Sequence, residues 1–290
     1  MRKPGPEYLS EKYEPFRSQQ EIEEGRKGLA SLPIGISEMP LPTQSGEYKL
    51  PSLTFELTLE DVNPSEYLFN RSSEEIARLE QAQNLDQQTK DALSVRKRLG
   101  VDSPEKVKIV RGFTANFEDG ASFNLSDVIP EGWRVLYVPS SSEVTRGGAN
   151  MDLKMVIVNG NLLGFEGITA LTHECAHYAT LKTLSEEEHD RYELALKRVV
   201  EARRNLNKAE EVTAEDLKLV YHAERSAWAE TLLKLKPFLR HYDQVTGEHS
   251  ADALQRAIHE FALSKDTNSL RMLDPGIREL FKNARDPFDW

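Results

Sequence analysis

Two histidines four residues apart, His173 and His177, are the pair of side chains best suited to chemistry in this sequence. In an α-helix, residues i and i+4 lie on the same face, so both imidazoles can point at one metal ion. Zinc accepts nitrogen and oxygen donors in a tetrahedral shell, and a catalytic zinc keeps one position open for water. The spacing therefore predicts that His173 and His177 are two ligands of a zinc ion.

Glu174 follows the first histidine directly. On a helix it points about 100° away from His173, which places it beside the ion without making it a ligand. From there its carboxylate can take a proton from a water molecule that the ion activates. We therefore expect Glu174 to be the catalytic general base. Cys175 falls on nearly the opposite side of the helix from His173, and we expect it to be a buried core residue.

The third protein ligand must come from elsewhere, and the acidic candidates downstream include Glu193, Glu201, Glu224 and Glu230. Glu224 lies in the middle of an apolar stripe on a helix that begins near Thr213. An ionised carboxylate that faces a protein core is costly unless a cation pairs with it. Periodicity therefore favours Glu224 as the third ligand. The alternative is a buried glutamate that pairs with an arginine.

The pattern His173-Glu174-x-x-His177, followed by Glu224-x-x-Ala227, resembles the gluzincin metallopeptidases with their HExxH motif. It is similar to the compact gluzincins that include repressor-cleaving proteins of mobile elements, and it covers mainly residues 150–235. The 46 residues between His177 and Glu224 depart from thermolysin-type enzymes. The G-x-M-E-N signature of gluzincin aminopeptidases is absent, since residues 147–151 read Gly-Gly-Ala-Asn-Met.

The resemblance implies an enzyme that hydrolyses peptide bonds in a polypeptide substrate, with Zn²⁺ as its cofactor. A small residue one turn after the ligand glutamate lets the two helices approach in that clan, and Ala227 has this place. Two alternatives remain open. One is a metal-binding regulatory or scaffold module with little turnover, and the other is a hydrolase of a small non-peptide amide.

Such a mechanism needs a donor that stabilises the tetrahedral oxyanion, and Tyr221, Tyr242 and His241 are candidates. The resemblance also implies an edge strand on which an extended substrate lies through backbone hydrogen bonds. Residues 151–158 are the last predicted strand before the motif. We therefore expect residues 151–158 to form that edge.

The elements that must position these residues follow a simple order. Ser72 with Glu75 predicts a capping box at a helix start, and a second helix is expected over residues 86–99, ended by Gly100. Four strand-like runs then occupy residues 106–158, with a hairpin turn at Asp119-Gly120.

From about residue 165 the chain reads as helical, starting with one helix over residues 165–181 that carries the motif. Ser185 with Glu188 and Thr213 with Asp216 predict the starts of two further helices. This order of elements predicts an α+β fold in which a small mixed sheet packs on the active-site helix. A mainly helical C-terminal half follows, and the resemblance implies a zincin-like domain.

Residues 1–50 contain six prolines and little periodicity, which predicts an extended arm that can lie over the active-site cleft. Residues 51–290 are then the catalytic domain, with helices and the small sheet in 51–164 and the helical part in 165–290. We expect the arm to be dispensable for folding.

The overall composition restricts the partners and the location. A net charge of −11 argues against a nucleic-acid partner, since binding of phosphates needs a basic face. No apolar run approaches the roughly 18 residues of a membrane helix, and no secretory signal is visible. The single cysteine suits a reducing compartment. These features predict a soluble, cytoplasmic protein with no membrane partner.

Overall fold

The computed structural model describes residues 45–50, 52–140, 146–163, 165–204 and 211–247. These residues form five α-helices: α1 (Ser73–Gln81), α2 (Gln87–Leu99), α3 (Phe165–Leu181), α4 (Glu186–Arg204) and α5 (Ala214–Thr246). They also form seven strands: β1 (Gly46–Leu50), β2 (Leu53–Asp61), β3 (Lys108–Phe117), β4 (Ser122–Asn124), β5 (Arg134–Pro139), β6 (Arg146–Asn150) and β7 (Met155–Gly160). Short 3-10 turns cover Pro104–Lys106 and Leu125–Val128. The α+β class is confirmed.

All seven strands belong to one sheet, with the order β1-β2-β3-β5-β7-β6, and β4 pairs with β3 beside this path. The pair of β5 and β7 is parallel, and the other pairs are antiparallel. The sheet is therefore mixed, as the sequence predicts. It is larger than the prediction, because β1, β2 and β6 were not expected.

Strand β2 shows why this region forms a sheet. Its residues alternate between buried apolar side chains, such as Leu53, Phe55 and Leu57, and more exposed polar ones. A period of two places all the apolar side chains on one face, where they are buried. Strand β1 pairs with β2 over Gly46–Leu50, so these five residues belong to the sheet and not to the predicted arm. Residues 1–44 lie outside the described part of the chain.

The middle of the sheet is buried on both faces, because β5 and β7 have no alternation of polar residues. One face packs with α2 in an apolar cluster that contains Val95, Leu99, Leu136 and Ile157. The opposite face of the same strands carries Val135, Tyr137, Val156 and Val158, which are also buried. Near-continuous apolar strands are typical of a sheet that is covered on both sides.

The strand that ends the sheet differs from the one that the sequence predicts. Strand β7 pairs with β5 on one side and with β6 on the other, so it lies in the interior of the sheet. The last strand in the order is β6. The prediction that residues 151–158 form an edge is therefore wrong, because residues 151–154 form a turn that returns the chain from β6 into β7.

The helix boundaries follow the predicted caps closely. Ser72 and Glu75 form a capping box at α1, and α2 ends at Gly100, whose φ of 65° is a left-handed cap. Gly120, with a φ of 91°, lies in the predicted turn between β3 and β4. Helix α3 occupies the predicted residues.

Contacts divide the described residues into two units. The first holds the seven strands, α1, α2, the part of α3 up to Cys175, and α5 from His241 onward. The second holds α3 from Ala176 onward, α4, and α5 as far as Arg240. In the described ranges we find no helix with the length and apolar character that a membrane crossing needs.

Candidate metal centre

Helix α3 carries both histidines, and its start is fixed by a close backbone contact. A Cβ atom on Gly167 would lie 2.0 Å from the carbonyl oxygen of Asn161 and 2.6 Å from the Cα of Leu162. Only glycine fits there without a shift of the backbone. The first turn of α3 can therefore lie against the end of β7, which sets the direction in which the helix leaves the sheet.

His173 and His177 lie one helical turn apart on α3, and both are buried, with 5% and 8% of their surface exposed. Glu224 on α5 completes a group in which the three ligand atoms lie within 4.8 Å of one another. The Nε2 atom of His177 and the Oε1 atom of Glu224 are 3.9 Å apart. These three residues can hold a metal ion.

One of the donor separations is close to that of a metal shell. Zinc bonds of about 2.0 Å in tetrahedral geometry place neighbouring donors about 3.3 Å apart. The observed 3.9 Å between His177 and Glu224 is therefore about half an ångström longer than such a shell needs. Small rotations of the Glu224 side chain span this difference without a change in the backbone.

Glu224 lies on the helix face that its periodicity predicts. Val220, Ala227 and Trp228 are buried on α5. The side chain of Glu224 is 31% exposed, so it is less buried than an apolar neighbour in the stripe. Its carboxylate therefore avoids part of the cost of burial.

Glu174 lies outside the ligand group, and its side chain contacts the backbone of β6. A Cβ atom built on Gly147 would lie 2.5 Å from the Cγ of Glu174. Gly147 pairs with Val158 in the sheet, and residues opposite each other share a face. This part of α3 therefore lies on the sheet face that carries Val158, opposite the face that packs with α2.

The competing carboxylates lie in other surroundings. Glu193 is exposed and lies 3.8 Å from His189 within α4. Glu230 lies 3.7 Å from Lys234 within α5. Glu201 is half-buried on α4. Among the described residues, neither Glu193, Glu201 nor Glu230 joins the group of His173, His177 and Glu224.

The candidates for the oxyanion donor are in different places. The Nε2 atom of His241 lies 2.9 Å from Oδ2 of Asp119, and its ring contacts those of Phe117 and Phe123 at 4.6 and 5.5 Å between centroids. A backbone hydrogen bond from Ala121, together with His241, lowers the pKa of Asp119 below its ordinary value. His241 therefore fastens the end of α5 to the β3–β4 hairpin.

Tyr242 is buried beside His241 on α5, and the side chain of Tyr221 lies outside the described part. Cys175 is buried, which confirms its predicted place in the core.

The sequence prediction missed Gly147 as part of the site. The signal was the Gly147-Gly148 pair just before the last predicted strand. Glycine inside a strand often marks a position where another group approaches the backbone closely.

Comparison of the chain with protein-family models, with curated proteins and with solved structures found no match.

Proposed function

We propose that this protein is a zinc-dependent hydrolase of peptide bonds in polypeptides. The observation that carries the proposal is that the ligand atoms of His173, His177 and Glu224 lie within 4.8 Å of one another. Glu174 follows His173 in the sequence, and its carboxylate does not belong to this group. A ligand set and a separate carboxylate are the two parts that metal-assisted hydrolysis requires.

The donor set favours zinc over the other common divalent ions. Two imidazole nitrogens and one carboxylate oxygen are the set found in catalytic zinc sites with an open fourth position. Magnesium and calcium prefer shells made only of oxygen atoms. Three protein donors leave room for one water or substrate oxygen, and the partial exposure of Glu224 gives such a molecule access.

When bound, the zinc ion supplies Lewis acidity, which polarises the scissile carbonyl group and lowers the pKa of a water molecule. His173, His177 and Glu224 would hold the ion. The carboxylate of Glu174 accepts a proton from the attacking water and then delivers it to the departing amine nitrogen. No further acid is required, because one carboxylate performs both transfers.

The position of β6 supports a polypeptide substrate over a small amide. Strand β6 ends the sheet in the described residues, and its residue Gly147 lies against Glu174. An edge strand offers unpaired backbone donors and acceptors, which an extended peptide can match as an additional strand. A peptide that pairs there passes next to the proposed base.

The replacement Glu174→Gln tests the assignment, because glutamine keeps the size of the side chain and cannot accept the proton. We expect the variant to bind as much zinc per chain as the wild type and to lose activity by a factor of about 10² to 10⁴. Zinc is counted by elemental analysis, and cleavage is followed by mass spectrometry on a peptide library.

Three outcomes oppose the proposal. Loss of zinc in Glu174→Gln would show that Glu174 is a ligand and not the base. A wild type that binds zinc and cleaves no peptide would favour the regulatory or scaffold module. Cleavage confined to small amides in a parallel substrate panel would favour the non-peptide amidase.

A further inference from the structure

Strand β6 contacts the proposed base at Gly147. A Cβ atom on Gly147 would lie 2.5 Å from Cγ, 2.9 Å from Oε1 and 3.1 Å from Cδ of Glu174. Two of these distances are below 3.0 Å, which side-chain carbons essentially never show. The carboxylate of Glu174 therefore occupies space that any side chain at position 147 would need.

The neighbouring glycine shows that the contact is specific to this position. A Cβ atom on Gly148 would meet nothing within 4 Å. Successive residues of a strand point to opposite faces, so Gly147 faces Glu174 and Gly148 faces the other side of the sheet. Gly147 is not among the glycines with positive φ, so its backbone conformation is open to alanine. A side chain at position 147 would therefore be opposed by the contact with Glu174 and not by the backbone conformation.

The contact restricts how the base can turn. A glutamate side chain has three rotatable bonds and loses entropy when it is held in one arrangement. The backbone at Gly147 closes one side of the Cγ and Cδ atoms of Glu174. The Glu174 side chain therefore has no room to move further toward the backbone of β6.

We propose that Gly147 is a positioning residue that seats the side chain of Glu174 in the arrangement in which it works as the base. This inference rests on the proposed hydrolase function. Gly147 supplies no reacting group. It acts by leaving open the space that Cγ, Cδ and Oε1 of Glu174 occupy. A catalytic group that is misplaced by about 1 Å can cost about 100-fold in rate.

A double-mutant cycle measures the contact between Gly147 and Glu174 without an activity assay. The midpoint of thermal unfolding, Tm, is measured on metal-free protein for the wild type, Gly147→Ala, Glu174→Ala and the double variant. We expect Gly147→Ala to lower Tm by about 4 to 8 °C, because the added methyl group overpacks the contact. In the Glu174→Ala background, which lacks all three contacting atoms, the same change should lower Tm by less than about 2 °C.

Gly148→Ala is the matched control in the same strand and should also shift Tm by less than about 2 °C. If Gly147→Ala fails to fold and the double variant folds, the proposal that Gly147 leaves space for the Glu174 side chain is supported. Equal shifts in both backgrounds would overturn it.

Kinetics test the positioning role. Gly147→Ala should keep zinc near the wild-type content and lower kcat by about 10- to 100-fold, with KM changed much less. Gly46→Ala, at the other edge of the sheet and with nothing within 4 Å of its Cβ position, should leave kcat within about twofold.

An unchanged kcat in Gly147→Ala would overturn the positioning role. A wild type without turnover would overturn the hydrolase and the positioning role together, and the Tm cycle would still show whether Gly147 seats Glu174.

Discussion

Glu174 follows His173 in the sequence, Glu224 lies beside His177 in space, and the surroundings of these two carboxylates differ. The side chain of Glu174 lies against the backbone at Gly147 and is outside the ligand group. The carboxylate of Glu224 lies 3.9 Å from His177 and is partly exposed. A small rotation would bring the carboxylate of Glu224 to the donor separation that a shared ion needs. At the scale of single residues, this difference supports a ligand role for Glu224 and a base role for Glu174.

Replacement of Glu224 by alanine tests the ligand set. We expect zinc affinity to fall by more than about 100-fold. Residues that only hydrogen-bond to a metal ligand already lower metal affinity by about 10- to 100-fold when they are replaced. Hydrolysis should be lost with the zinc. The measurement is elemental analysis after dialysis against a weak chelator.

Three control replacements accompany this variant: Glu193→Ala, Glu201→Ala and Glu230→Ala. Glu193 and Glu230 lie near His189 and Lys234, away from the ligand group. Each control should keep about one zinc per chain. If Glu224→Ala kept its full zinc content and one of the controls lost zinc, the residue changed in that control would be the third ligand instead of Glu224.

At the scale of elements, the start of α5 is held by more than its own cap. The backbone N–H of Asp216 donates to Thr213 Oγ1 at 3.1 Å, and the N–H of Thr213 donates to Asp216 Oδ2 at 2.9 Å. Arg198 of α4 also donates to both carboxylate oxygens of Asp216, at 3.3 and 3.2 Å. This contact joins α4 to the helix that carries Glu224.

The charge of Asp216 makes the start of α5 sensitive to acid. Burial acts to raise the pKa of Asp216, but the hydrogen bonds from Thr213 and the charge of Arg198 outweigh it, so that the pKa is lowered. A lowered pKa means that the folded state binds the proton less well than the unfolded state, whose aspartate pKa is about 3.9. The stabilisation is therefore complete above that value and is lost as the pH falls through the lower, folded pKa.

We expect Asp216→Asn to lower the free energy of unfolding by about 1 kcal/mol at pH 7, as the loss of a helix cap does. The difference from the wild type should shrink below about pH 4. Urea unfolding at a series of pH values measures it. Glu215→Gln, which alters an exposed ion pair with Arg191 at 3.8 Å, is the matched control and should change stability little. A difference that grows toward low pH would contradict the assignment.

At the scale of the whole molecule, the boundary of the sheet changes what the N-terminal arm includes. The predicted arm ends at residue 50, but Gly46–Leu50 form β1 and pair with β2 along its first five residues. The buried Phe55 and Leu57 lie opposite this strand. Any removal of the arm must therefore stop before residue 46 to leave the sheet complete.

Two deletions test this boundary. A variant that lacks residues 1–44 should keep Tm within about 2 °C of the wild type, with equal or higher activity. A variant that lacks residues 1–50 should lose about 5 °C or more, because β2 becomes an unpaired edge. Differential scanning calorimetry measures both. An equal loss in the two variants would show that the arm itself stabilises the fold.

Features that depend on neighbours within one or two helical turns can be read from the sequence. The four-residue spacing of His173 and His177, the three capping boxes and the bounds of α3 were predictable, because a side chain reaches its partner within a turn. The position of Glu224 was predictable from periodicity, since the face of a helix repeats every 3.6 residues. Its role as a ligand stays a prediction.

Which strands pair depends on the three-dimensional fold. The sequence pattern predicts an edge strand at residues 151–158 and no strand at residues 146–150, because Arg-Gly-Gly-Ala-Asn has weak strand propensity. Strand order depends on pairing between segments far apart in sequence, as between β5 and β7. The contact of Gly147 with Glu174 depends on the pairing of β6 with β7 and on the packing of α3 on that face of the sheet, and the Gly147-Gly148 pair only hints at it.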